Sequence, residues 1–243
     1  MEVHAHTHTE RKKWTHYFWE FFMLFLAVTL GFFVENQREH YVERVRAKEY
    51  AQLLLEDLNN DSLYIDQLLN RQKNMLAHAD SLLVILTSGQ STTSNYSIVH
   101  HINKVAEFVD FNPAFPVNFE QVKNSGSLRY FKSKKLVSSL SGLDREMQTI
   151  KEVYVGYNGF INDYLRPFFV EHLNTLEFDI FSRKVLVTDP VIYEWNKKET
   201  QLLANKINLK KTYDVFFINH FLKNCSEKIS ALTAAIKKEY HLK

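Results

Sequence analysis

Residues Tyr17 to Val34 read YFWEFFMLFLAVTLGFFV, an apolar run broken by one carboxylate, Glu20, and by the weakly polar or small Thr29 and Gly31. About eighteen helical residues at 1.5 Å each approach the ~30 Å of hydrocarbon in a bilayer. Trp14, Tyr17 and Trp19 crowd one end and Tyr41 follows the other, the places where amphipathic rings settle at headgroup level. A cleaved signal peptide would leave its apolar region through small residues at alternate positions, whereas this run exits through Gly31, Phe32, Phe33, Val34, Glu35 and Asn36. A buried core helix would carry a polar stripe, and Phe21 to Phe33 offers only Thr29 and Gly31. The run therefore predicts an uncleaved transmembrane helix over residues 17–35, with a His-rich tail over 1–16 and a soluble domain over 36–243.

Three residues of this region are candidates for a membrane or assembly role: Glu20, Gly31 and Glu35. An ionisable group inside a span faces a partner, water or a proton path, although Glu20 sits within one turn of the aromatic end and can reach the headgroups. Arg11, Lys12 and Lys13 form a compact basic group before the run, while Arg38, Arg44, Arg46 and Lys48 after it are interleaved with Glu39 and Glu43. That asymmetry points to a cytoplasmic N-terminus and a periplasmic domain on a bacterial inner membrane.

The remainder reads as all-α. Only 6 Gly and 4 Pro occur in 243 residues, too few for the turns of a sandwich or barrel. Lys plus Arg number 30 against 28 Asp plus Glu, so the net charge of +2 gives no reason to expect nucleic acid as a partner. Cys225 is the single cysteine, which excludes an internal disulfide and every multi-cysteine metal site.

Apolar residues recur at heptad-like spacing after the run, in one row of Ala51, Leu58, Ile65, Ala79 and Leu86 and another of Leu54, Leu68, Met75 and Leu82. They predict the seam of a bundle or coiled coil on a long helix or jointed pair over 36–87, with Asp61 and Gln72 as interruptions and Asn59 to Ser62 able to cap a helix after a break. SGQSTTSN at 88–95 marks a loop, and a helix is expected over 97–109. After the prolines of DFNPAFPV at 110–117, Asn118 with Gln121 reads as a capping box and Ser125-Gly126 as a helical stop. Ser133 should cap a helix carrying Leu136, Leu140, Leu143, Met147, Ile150 and Tyr154 on one face, kinked or ended by Pro167. VLV at 185–187 is the one strand-like patch, and two further helices are expected over about 191–209 and 211–240.

No phosphate-binding glycine loop, nucleophile elbow, H-E-x-x-H helix or paired cysteine set occurs. His4, His6, His8 and His16 alternate in a tail without preorganised geometry, and His100 and His101 point to different sides of a helix, so no metal or other cofactor is expected. Asp144, Glu146, Glu152, Asp163 and Glu171 lie among basic residues as on a solvated helical face. No catalytic set emerges, and the chain is not expected to be an enzyme.

The stretch NFEQVKNSGSLRYFKSKKL at 118–136, the acidic Glu20 at the entry to the apolar run, and its exit through Gly31 and Glu35-Asn36 together carry a resemblance. In these features the chain resembles a family of short, functionally uncharacterised, single-span membrane proteins of Bacteroidota, which share an anchor, a helical region and an element of the form F-x-x-(apolar)-K-x-S-G-x-L. Here that element is Phe119, Val122, Lys123, Ser125, Gly126 and Leu128. The resemblance implies the anchored helical architecture and no activity. The expected function is thus a membrane-anchored helical interaction protein, an accessory subunit of a cell-envelope complex in contact with lipid and with a protein partner or further copies of itself. The alternatives are an extracytoplasmic sensor holding a small ligand among the aromatics of Tyr154 to Phe169, and a proton-coupled channel or motor element using Glu20.

Overall fold

A computed structural model describes residues 14–88, 94–174, 178–179, 184–185, 192 and 196–242. The chain is all-α and divides into two compact units, Met1–Glu49 and Tyr50–Lys243. The tail through Lys13, including His4, His6 and His8, lies outside the described residues, as do Leu186 and Val187 of the strand-like patch.

The first unit consists of the opening part of α1 (Trp14–Ser88). Its apolar stretch is helical throughout and, by length and composition, able to cross a membrane. From Trp14 to His40 every residue is exposed except Leu26, which is half-buried. Thr29 donates its hydroxyl to the Phe25 carbonyl at 2.7 Å, so the one hydroxyl in the middle of the stretch is satisfied within the helix.

In the second unit α1 continues without a break to Ser88, so of the long helix and the jointed pair that the spacing allows the chain forms the long helix. The physical reason is that Asp61 faces inward and makes its bonds to a different part of the chain, so nothing there competes with the helix backbone. Both apolar rows are buried as the spacing predicts: Ala51, Leu54, Leu58, Ile65, Leu68, Met75, Ala79 and Leu82 are fully covered and Leu86 packs at the margin. Each fully buried leucine contributes about 1.5–3 kcal/mol relative to exposure. These rows pack into a core with other helices of the same chain.

The short helices α2 (Asn95–Val105) and α3 (Phe115–Asn124) follow, α2 starting at the Ser94 cap and ending four residues sooner than expected. The proposed capping box of Asn118 and Gln121 is not formed. Helix α3 begins at Phe115 with Pro116 in its first turn, where a missing N–H is harmless, and Asn118 lies inside it. The stop at Ser125-Gly126 does form: Gly126 takes a left-handed φ of 71°, and a 3₁₀ turn (Ser127–Tyr130) follows. Helix α4 (Lys134–Phe160) is capped by Ser133, whose hydroxyl accepts from Leu136 N–H at 3.1 Å, and its six predicted apolar positions are all buried. It packs along α3 and along α7 (Lys223–Tyr240).

Pro167 does not end the helical run. A π-helical turn (Ile161–Leu165) leads into α5 (Arg166–His172), and the proline sits in the first turn of α5, where the widened turn removes the conflict between its ring and the preceding backbone. Strands β1 (Phe178–Asp179) and β2 (Lys184–Val185) pair antiparallel, and Leu173 bridges Ile192, the only strand pairings among the described residues. Helix α6 (Lys197–Phe216) opens with a capping box of Asn196 and Glu199 and passes through a second π-helical turn (Phe217–Leu222) into α7. The expected division at Lys210 is therefore absent, because Lys210 turns into the core instead of opening a loop.

Candidate functional site

In the first unit, Glu20 pairs with His16 one turn toward the N-terminus, Oε1 to Nε2 at 3.1 Å, with both side chains about half exposed. Glu35 holds Arg38 through two short bonds, Arg38 Nη2 to Oε1 at 2.7 Å and Arg38 Nε to Oε2 at 3.0 Å. A Cβ placed on Gly31 would meet nothing within 4 Å, so nothing within the chain requires a glycine there. The three candidates are thus spread along four turns of one helix and are not brought together.

The family-like element is brought together, as a corner of the fold. Phe119 and Val122 are buried, and Phe119 stacks on Phe115 with ring centroids 5.2 Å apart. Ser125 donates to the buried Ser127 hydroxyl at 2.7 Å, Gly126 supplies the left-handed residue, and Leu128 packs against the core. Lys123 is exposed in the last turn of α3, where a cation suits the helix dipole. Each position has a structural task.

Helix α1 presents polar side chains to the segment between α2 and α3. Asp61 accepts from the backbone N–H groups of Ala114 at 2.7 Å and Phe115 at 2.9 Å, capping α3 from another helix. Asp57 accepts from Asn118 at 2.8 Å, Tyr64 donates to the Asp110 carbonyl at 2.8 Å, and Arg71 donates to the Phe108 carbonyl at 2.7 Å. Burial pushes the Asp57 and Asp61 carboxyls up, against the bonds they accept.

A wholly buried polar group lies between α4 and α6. Lys210 and Asp214 are wholly buried and joined Nζ to Oδ2 at 2.8 Å, while Tyr157 donates its hydroxyl to Asp214 Oδ1 at 2.7 Å. Burial pushes the lysine ammonium down and the aspartic carboxyl up, and the attraction between their charges opposes both shifts. The Tyr157 hydroxyl is held well above its ordinary range by burial and by the adjacent carboxylate, and so remains a donor. Both π-helical turns begin just beyond this group, at Ile161 after Tyr157 and at Phe217 after Asp214. The pair was missed although the row Leu203, Ile207, Lys210, Asp214, Phe217 has core spacing with two charged members.

A second cluster joins α1 to α2. His78 Nδ1 lies 2.8 Å from His101 Nδ1, and the His100 ring is centred 5.3 Å from that of His78 and 5.8 Å from that of His101. Sequence spacing separates His100 from His101, but it carries no sign that α1 brings a third imidazole between them. Among the described residues no three metal-ligating side chains converge on a single point as they stand.

The aromatics of Tyr154 to Phe169 pack on each other and on the core, Tyr154 against Phe217 at 4.2 Å. A groove of about 510 Å³ runs between α4 and α7 past Ser139, Gly142, Ala231 and Ala235. No protein-family model, no curated protein and no solved structure matches this chain.

Proposed function

We propose that this chain is a single-pass, membrane-anchored helical interaction protein serving as an accessory subunit of a cell-envelope complex. The observation that carries the reading is the exposed apolar stretch of α1, in which Phe21, Met23, Leu24, Phe32 and Phe33 all stand more than half exposed. An uncovered apolar surface of this extent is unfavourable in water, whereas a helix satisfies its own backbone in lipid. The His16–Glu20 pair lies at the aromatic end, where a carboxylate remains within reach of the headgroups. The compact basic group at Arg11 to Lys13 favours a cytoplasmic N-terminus and a periplasmic second unit in a bacterial inner membrane. On this reading the partners are lipid and either another envelope protein or further copies of the chain, with no part for nucleic acid, and the resemblance to single-span proteins of Bacteroidota is one of kinship.

The test is extraction from native membranes. The full chain should stay in the pellet after an alkaline wash and enter solution only with detergent, and a version lacking residues 1–36 should be recovered without it. Recovery of the full chain in the wash would overturn the anchor. After gentle detergent extraction, a stoichiometric partner that co-purifies with the anchored form and is lost with the truncated one supports the accessory-subunit reading. A homogeneous particle of this chain alone removes it.

A further inference from the structure

We propose that His78, His100 and His101 form a binding site for a first-row transition-metal ion, which clasps α2 to α1. The argument rests on the second unit alone and is independent of the membrane anchor.

Two imidazole nitrogens only 2.8 Å apart either share a proton or are placed to share a cation. With metal–imidazole bonds of about 2.0–2.1 Å, two ligands at the right angles of square-planar or octahedral geometry stand about 2.9 Å apart, and two at a tetrahedral angle about 3.4 Å. The observed separation lies nearer the first case, and Cu²⁺, the divalent first-row ion that nitrogen ligands hold most tightly, is the probe to use. Imidazole ligates through an unprotonated ring nitrogen, so a cation held between the two Nδ1 atoms takes the place of the proton that bridges them. His100 is close enough to become a third ligand by turning about its side-chain bonds, which would take it out of its stack on Tyr96. Of the charged groups acting on His78, Lys104 opposes a cation and Glu107 favours one. Half-buried rings on two helices leave the remaining coordination positions to water.

The experiment uses the full chain in detergent with His4, His6, His8 and His16 changed to Gln, which removes the tail as a competing ligand. CuCl₂ is titrated and followed by electron paramagnetic resonance. The expected result is one saturable copper per chain whose spectrum carries coupling to at least two imidazole nitrogens, with a melting temperature raised by about 5–10 °C at free copper a hundredfold above Kd. His78→Gln and His101→Gln should each weaken binding by more than the ~10–100-fold that loss of a merely supporting residue causes. His100→Gln should reduce the nitrogen count or the affinity by less. No saturable 1:1 site in the tail-substituted chain, or unchanged binding in both His78→Gln and His101→Gln, overturns the proposal and leaves the contact a shared proton. Should those two variants lose their helical circular dichroism, the nitrogen count of the folded parent decides: fewer than two imidazoles means no site.

Discussion

Lys210 and Asp214 are the residues whose placement is hardest to justify on hydrophobic grounds, since each is completely buried among apolar neighbours. Their energetics are asymmetric. Removing one partner strands a charge in a medium that cannot solvate it, whereas removing both exchanges the pair for ordinary packing. We therefore expect Lys210→Met and Asp214→Leu to destabilise by about 3–5 kcal/mol each, and the double variant to lie much closer to the parent. Urea unfolding of the four proteins closes the cycle, and additive losses would show that the two side chains act separately. Tyr157 belongs to the same unit, because its hydroxyl occupies the carboxylate oxygen that Lys210 leaves free.

At the scale of elements, we expect the contact between α1 and α2 to be sensitive to acid. His78 and His101 have folded-state values below the unfolded imidazole value of about 6.5, so the unfolded chain binds more protons and stability falls as pH drops. Their contribution is present above that value and lost below it. Melting temperature should accordingly fall between pH 7.5 and 5.5, and the slope should flatten when both residues are changed to Gln. A slope that is unchanged in that double variant would assign the loss to other groups. The elements themselves were largely legible, because burial on one face leaves a periodic record: both apolar rows of α1 and the face of α4 are read directly from their spacing. What spacing does not record is a polar residue whose partner lies elsewhere in the chain. Asp61 and Gln72 read as faults in the seam, yet Asp61 caps α3 and Gln72 donates to the Tyr154 hydroxyl at 3.4 Å. The histidine cluster was illegible for the same reason, as two of its members are adjacent in sequence and the third is more than twenty residues away.

For the molecule as a whole, the core determines what can be separated. Every residue of the central apolar cluster falls between Ala51 and Ile236, so the second unit holds a complete core of its own. Residues 50–243 expressed alone should be soluble and helical by circular dichroism and should unfold in one cooperative transition. An aggregated or molten product would mean that the first unit contributes to folding. The capping of α3 by Asp61 has a different bearing, on the order in which this unit takes shape. A helix that opens on Ala114 and Phe115 has Pro116 in its first turn but no side-chain cap of its own; the carboxylate that caps it sits 53 and 54 residues upstream. Synthesis from the N-terminus delivers the template before the segment that needs it. The same dependence makes α3 a poor module: carried into another protein, or placed ahead of α1 by circular permutation, it would arrive without the carboxylate that caps its first turn.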